Sequence, residues 1–496
     1  MTANNGNDIV RRTLTGSFFT VSSASITLTL GLIRTILLLK LLQPGDFGVV
    51  TQALFFVNLA GLVRLPGLDL GFIHRKEIDE TTLPTYFTLR ISLFLFSSLI
   101  IALLTPIIDN YYPDMPLLGI IILVYLVSDI IGTFSSVQDA IHSRELHFKE
   151  IATTNVISAL AMTLVAPLLA WQGFGVWSLV AEQVVGISTR LICFMFSPYW
   201  WRPRFGWNRN EARWFRDFGL KGWANTNILF FLDRFDDFWV GTYLGKTQLG
   251  YYAKSYELAR YPRRIVAAPL LSVFYPTFAK LQNDREQLSK AFVRTSAIMI
   301  RFGFWISLLL VVSAPELIQF LGQEWLPMQA TLQLMVVYTM LDPVAIAAAN
   351  LLQAIGYPEI LSKVRIYQAI FFIPAVMWLG KSYGIEGVAI AANGMVLVGT
   401  VLLYFKARRF VDFSIKALWL WPLLALTVSG MLYYILSPYL ITSNNWITII
   451  IKSVFISVTY LFILFLVERK RFVTYTFLIY SMLRPYWQLL RSRFAK

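Results

Sequence analysis

The sequence predicts an all-α membrane protein of about 14 transmembrane helices: two copies of a six-helix bundle followed by two further helices. Three observations carry this reading. Of the 496 residues, 57% are hydrophobic and only 14% are charged, whereas soluble domains carry roughly 25% charged residues. The apolar residues gather into stretches of about 20, the length a helix needs to cross roughly 30 Å of hydrocarbon. Helices satisfy their own backbone hydrogen bonds, as lipid demands, and the short alternating segments of a β-barrel are missing. Finally, of 43 lysines and arginines only Lys246 and Lys381 fall in loops on the predicted outer side. The net charge of +15 therefore follows membrane sidedness and does not argue for nucleic acid. It places both termini in the cytoplasm. Met1 to Arg12 is polar and precedes a full-length span, so no cleavable signal peptide is expected.

Taken in order, span 1 (15–42) carries Arg34 well inside, with Ser23 and Thr27 before it on one helical face. Span 2 (47–70) carries Arg64 late, and span 3 (85–108) carries Arg90 early. Span 4 (116–141) holds Asp129 and Asp139 in apolar context. Span 5 (151–171) is apolar, and span 6 (174–198) holds Glu182, Arg190 and the single cysteine, Cys193. That cysteine reads as a small buried side chain. Span 7 (217–243) places Asp233, Asp236 and Asp237 together. In span 8 (250–277), Lys254, Glu257, Tyr261 and Arg264 follow a 3-4-3 spacing on one helix face, flanked by Arg260 and Arg263. Spans 9 (295–313) and 10 (327–355) add Arg301 and Asp342. Spans 11 to 14 cover 364–380, 384–405, 417–436 and 446–467. A basic stretch at 472–494 reads as a helix on the membrane surface. The domain division is 1–215, 216–416, 417–468 and 469–496.

The repeat rests on three echoes. Residues 41–53 (LLQPGDFGVVTQA) match 243–255 (YLGKTQLGYYAKS); Ala140-Ile141 with Glu145 matches Ala354-Ile355 with Glu359; Gly175-Val176 matches Gly384-Ile385. They are spaced by 202, 214 and 209 residues. An even number of spans per copy gives both copies one orientation, with a transport path expected between them.

An ionisable group costs about 2.5–3.5 kcal/mol at mid-span. Snorkelling to the interface explains Lys40, Lys452, Asp217 and Lys221. The deeper basic residues Arg34, Arg64, Arg90, Lys254, Arg260, Arg264 and Arg301 form the candidate set for an anionic headgroup. Arginine suits that task because its fork bonds phosphate bidentately and stays protonated. The competing reading is ion pairing between helices, for instance with Asp69, Asp233 or Glu257; for Arg90, Arg190 and Arg301 the two readings weigh evenly. Asp129, Glu182, Asp233, Asp236, Asp237, Glu257 and Asp342 are the candidates for a coupling ion. His74, His142 and His147 have spacings that fit no metal site. No phosphate-binding loop or dinucleotide fingerprint occurs, so no cofactor is expected. The outer loops are short, which argues against an enzyme acting outside.

Several segments then resemble the Wzx-type flippases, the polysaccharide-transporter branch of the multidrug/oligosaccharidyl-lipid/polysaccharide exporter superfamily. They are Leu42-Gln43-Pro44-Gly45-Asp46-Phe47-Gly48, Asp69-Leu70-Gly71, Leu232-Asp233-Arg234, Leu249-Gly250-Tyr251-Tyr252, Val273-Phe274-Tyr275-Pro276 and Gly322-Gln323-Glu324-Trp325. The resemblance implies export of undecaprenyl-pyrophosphate-linked oligosaccharide for O-antigen, capsule or exopolysaccharide assembly. It implies two bundles in a V with alternating access, and a lipid-tail groove at spans 13 and 14. The Leu-Gly-x-x-Arg of span 1 and the arginine late in span 2 are similar to those of lipid II flippases, which implies headgroup contacts at Arg34 and Arg64; Lys254 matches only approximately. A polysaccharide polymerase and a chain-length regulator are the implied partners, beside the membrane lipid. The alternatives are a drug/cation antiporter of the same superfamily, which would favour an acidic cavity, and a membrane glycosyl polymerase or ligase, which would need a large outer loop.

Overall fold

The computed structural model describes the backbone of residues 3–64, 67–75, 77–261, 264, 268–442 and 444–494. Side chains are described for these except 3–15, 17, 18, 63, 221, 222, 224, 225, 268–273 and 470–494. The described residues form helices and no strand. Contacts divide the chain into two compact units, Met1–Ala253 and Lys254–Lys496.

The first unit contains α1 (Ala3–Leu41), α2 (Pro44–Ala60), α3 (Leu68–His74), α4 (Thr82–Tyr111), α5 (Leu118–Arg144), α6 (Phe148–Trp171), α7 (Val176–Met195) and α8 (Arg209–Tyr243). The division falls within α9 (Lys246–Ala259). The second unit continues with α10 (Ala268–Lys280), α11 (Arg285–Leu321), α12 (Met328–Leu334), α13 (Val336–Ala354), α14 (Pro358–Ala407), α15 (Ile415–Leu436) and α16 (Asn445–Phe494).

Ten helices among the described residues are long and apolar enough to cross a membrane. One of them, α14, turns at the non-helical Gly384 and holds two of the segments expected from sequence, 364–380 and 384–405. Segments 47–70, 217–243 and 250–277 lie on helices that are shorter or more polar. Large apolar side chains such as Leu103, Ile107, Trp378 and Val458 are exposed, as lipid-facing residues must be. The helix expected at 472–494 is a continuation of α16 beyond a break at Glu468; its side chains lie outside the described residues.

Local chemistry accounts for the helix starts. Pro44 opens α2 with its ring already at a helical φ, and the Asp46 carboxylate accepts the Gln43 N–H at 3.1 Å. Asn208 caps α8, Asp284 caps α11 and Ser414 caps α15, each accepting a first-turn N–H. The ends show the internal repeat in backbone geometry. α5 closes with Glu145 N–H to Ile141 O, Leu146 N–H to Ser143 O and His147 N–H to His142 O. α13 closes with the same three bonds, from Ile355 to Leu351, Gly356 to Gln353 and Tyr357 to Leu352. Leu146 and Gly356 both lie in the left-handed region, at φ 59° and 86°, which is the turn that ends a helix this way. These turns are 210 residues apart, so the sequence echo spaced by 214 is one helical turn out of register. Gly175 (φ 54°, ψ −129°) and Gly384 (φ 59°, ψ −143°) share a second such conformation, 209 apart.

Within the first unit, the starts of α2 and α9 cross closely. A Cβ on Gly48 would sit 1.8 Å from the Lys246 carbonyl oxygen, and one on Gly250 would sit 1.9 Å from that of Pro44. The first motif echo, spaced by 202, therefore marks two glycines that admit each other's backbone.

Candidate functional site

Two polar cavities lie inside the first unit. α5 supplies one wall of the first. Asp129, Gly132, Ser136 and Asp139 recur at helical spacing, so all four meet the same space. Opposite stand Arg90 and Phe94 of α4 and, beyond the end of α2, Arg64 and Asp69. α2 gives way to a 3₁₀ turn at Gly61–Val63, and α3 starts at Leu68. This cavity measures about 420 Å³. The second, about 500 Å³, is lined by Thr20, Ser23, Thr27 and Arg34 of α1, Asn155, Ser158 and Met162 of α6, and Gln183, Gly186 and Arg190 of α7. Ile187 and Arg190 line both.

The arginines are matched one for one with carboxylates. Arg34 Nε meets Glu182 at 2.9 Å, and Arg64 meets Asp129 at 3.2 Å. Arg90 pairs with Asp69, and Arg190 pairs with Asp139. Further bonds fix these groups. Arg64 Nε donates to Ser97 at 3.3 Å and its guanidinium lies 4.5 Å from the Phe94 ring centre. Tyr86 donates to Asp69 at 2.5 Å. Arg190 also donates to the Asn155 side-chain oxygen at 2.5 Å, so one side chain joins a carboxylate in the first cavity to an amide in the second. A buried charge left alone is far costlier than a paired one, and the pairing is what lets four guanidinium groups stay at this depth.

The two cavities differ in net character. Three arginines and three aspartates line the first. The second has two arginines, hydroxyls and two carboxamides, and no carboxylate among its described lining residues. Gln183 makes no hydrogen bond there among the described residues. An anion therefore meets less repulsion in the second.

The other basic residues singled out from sequence lie elsewhere. Lys254 pairs with Glu257 at 2.7 Å. Arg260 and Arg264 lie over the rings of Tyr256 and Tyr261, at 5.3 and 5.6 Å. Arg263 falls outside the described residues. Of the two readings that weigh evenly for Arg301, the structure shows the ion pair: the side chain is buried and donates to Glu468 at 2.9, 2.7 and 2.5 Å. Lys452 is a correction. It does not snorkel but is 2% exposed and donates to Glu316 at 2.5 Å. Of the acidic candidates, Asp129 lines the first cavity and Glu182 pairs with Arg34. Asp236 accepts from Tyr252 at 2.6 Å, and Asp237 accepts from Arg234 at 3.1 Å. Asp233 and Asp342 line neither cavity. Arg190 and Asp139 prove more central than their sequence context suggested. Asn155 and Gln183 carried no sequence signal, since one amide in an apolar helix is unremarkable.

Helices of membrane-crossing length around buried ion pairs and polar cavities define a multi-pass α-helical membrane protein of the transporter type. The chain belongs to the family of polysaccharide biosynthesis proteins, whose sequence profile matches residues 37–330. It is 25% identical over 413 residues to the lipopolysaccharide biosynthesis protein WzxC of Escherichia coli (strain K12), covering 79% of this chain and 80% of that one. To the succinoglycan biosynthesis transport protein ExoT of Rhizobium meliloti (strain 1021) it is 26% identical over 320 residues, 62% of each chain. A solved structure of the lipid II flippase MurJ in an inward closed conformation shares the fold, with a TM-score of 0.76 at 15% identity. The match covers 92% of this chain and 99% of that one.

Proposed function

We propose that this protein is a flippase. It moves undecaprenyl-pyrophosphate-linked oligosaccharide repeat units from the cytoplasmic to the periplasmic leaflet of the inner membrane, for assembly of a surface polysaccharide. Family membership and the names of WzxC and ExoT support the polysaccharide role. The observation that carries the reading further is the cavity around Arg34 and Arg190, an arginine-lined, hydroxyl-rich space in a membrane-spanning unit whose described lining has no carboxylate, the partner carboxylates Glu182 and Asp139 standing behind the arginines. Guanidinium groups there can bond phosphate oxygens through parallel N–H donors. The hydroxyls and amides offer the mixed donors and acceptors that a sugar next to the phosphate requires. The prenyl chain stays in lipid. With the cytoplasm negative, the membrane potential favours outward movement of the headgroup, by about 2.3 kcal/mol per charge per 100 mV. A drug/cation antiporter would need unpaired acidic groups, whereas Asp69, Asp129 and Asp139 each face an arginine. The chain carries substrate and does no bond chemistry on it; the termini are cytoplasmic, and a polymerase with its chain-length regulator takes the product outside.

Replacing Arg34 or Arg190 by alanine should lower surface polymer by about tenfold or more, as expected for lost charge-assisted phosphate bonds. Protein levels in the membrane should stay normal, and lipid-linked repeat units should accumulate on the inner leaflet. Normal polymer from both variants would defeat the proposal.

A further inference from the structure

The proposed function leaves the first cavity unused. It is open, roomy enough for a ligand, and charge-balanced, with Arg64, Arg90 and Arg190 facing Asp69, Asp129 and Asp139. Its sister cavity shares Arg190 with it and has no carboxylate among its described lining residues. Resting on the flippase reading, we propose that the chamber is divided by charge. The cavity at Arg34 takes the pyrophosphate, and the cavity between α4 and α5 takes an uncharged stretch of the glycan.

The argument is one of exclusion followed by complementarity. A diphosphate placed there would meet an aspartate beside each arginine, and that repulsion offsets what the guanidinium groups contribute. A neutral polyol has no such objection. It needs many donors and acceptors close together, because each of its hydroxyls leaves water and must be bonded again. Carboxylates accept from hydroxyls and guanidinium groups donate to ring and hydroxyl oxygens; Thr133 and Ser136, whose own O–H groups are spent on the Asp129 and Thr133 carbonyls, add acceptors. Ile187 adds apolar surface for the C–H face of a pyranose. Arg190 stands at the junction, bonded to Asp139 on one side and Asn155 on the other, where the first sugar meets the phosphate.

The test fills one cavity and leaves the other untouched. Gly61 lines the first cavity, and a Cβ there would meet nothing within 4 Å, so Gly61→Leu adds bulk at that wall while replacing none of the ion-paired residues. Full-length protein in nanodiscs is titrated with two probes, undecaprenyl pyrophosphate lacking sugar and the same lipid bearing the repeat unit. Gly61→Leu should weaken the sugar-bearing lipid by about tenfold, the scale of one or two lost hydrogen bonds, and leave the sugar-free lipid within about twofold. Thr133→Val, which keeps the side-chain shape, should weaken the sugar-bearing lipid alone and to a smaller extent. Equal losses on both lipids, or loss on neither, overturn the division. Should Gly61→Leu not fold, Thr133→Val and an experiment on the unaltered protein decide. In the latter, oligosaccharide released by mild acid from the cell's lipid-linked intermediates should bind without displacing inorganic pyrophosphate; mutual displacement overturns the proposal. If the unaltered protein binds neither lipid, the flippase reading itself fails. If it binds both equally, only the division fails.

Discussion

The two units share backbone turns but treat charge in opposite ways. With the 210-residue register set by the turns at Leu146 and Gly356, Asp129 and Asp139 of α5 correspond to Thr339 and Ala349 of α13. With the 209-residue register of Gly175 and Gly384, Glu182 and Arg190 of α7 correspond to Ala391 and Gly399 of α14. The four charged members line or brace the cavities of the first unit. Thr339 is buried with its hydroxyl on the Ala259 and Met335 carbonyls. Ala391 is fully buried, and Gly399 leaves only the room that the Gln368 side chain fills. Around them α13 packs Val344, Ala347, Ala348, Leu351 and Leu352 into an apolar core with α11. At these four positions the scaffold carries ions in one copy and small residues in the other, while α13 buries its own carboxylate, Asp342, where α5 has Gly132. The backbone turns reflect the scaffold, and the ionic chamber is a separate addition that costs stability and needs a use.

The second unit keeps ion pairs of another kind. Arg301–Glu468 and Glu316–Lys452 both join α11 to α16, and all four side chains are under a tenth exposed. They border no cavity in the first unit, and their geometry is that of a clamp. If the comparison holds, Arg301→Ala should give the largest effect of any single change here, about 3–5 kcal/mol of stability, because Glu468 is left buried and alone. Thermal unfolding in detergent measures it. The double replacement Arg301→Met with Glu468→Leu should recover most of that loss and retain export, since a buried pair can be exchanged for apolar volume. Failure of the double variant to export would erase the distinction between the units.

Gly48→Ala is expected to come next. Its new methyl would press on the Lys246 carbonyl, an overpacking that costs typically about 1–3 kcal/mol, read as a lower melting temperature. Gly250→Ala should do the same against Pro44. The reverse of the Arg301 experiment follows. Arg190→Met with Asp139→Leu removes a pair from the first unit and should leave the protein folded, yet lower export by about tenfold through one lost charge-assisted contact. Export at the normal rate would place this pair with the structural ones.

The smallest effect belongs to the surface. Arg285 bonds Asp412 at 2.9 and 2.8 Å in full solvent, and the guanidinium holds the Asp412 carboxyl below its ordinary pKa. A carboxyl depressed in the folded state lends its support above the unfolded pKa and loses it as pH falls through the folded one. Asp412→Asn should therefore match the parent at the acid end, differ barely at neutral pH, and differ not at all in high salt, which screens exposed pairs. A clear neutral-pH defect would show that this contact does more than decorate the surface.

Much of this could be read from the residues in order. Leu103 and Ile107 on α4 advertise a lipid face because hydrophobic length is a local property. Pro44, Asn208 and Asp284 announce helix starts because capping acts within four residues. The glycines of LLQPGDFG and LGYY stood out as an echo. Arg34 and Arg64 stood out because an unpaired charge at their depth is expensive.

Partnership was not legible. Arg34 meets Glu182 and Arg190 meets Asp139 across intervals of chain that no periodicity reports. The same holds for Arg301 with Glu468, where the ligand and ion-pair readings weigh evenly in the sequence and only packing shows the pair. Lys452 was assigned to the interface by its place near a span end, whereas packing put it against Glu316. The sequence by itself determined that the chain is helical, lies in a membrane and repeats one design, because those properties follow from hydrophobic length and local turns. Only the tertiary structure decided which charges neutralise each other and which line open space. Coulomb energy at low dielectric depends on separations of a few ångströms between helices, and those separations are set by packing rather than by order along the chain.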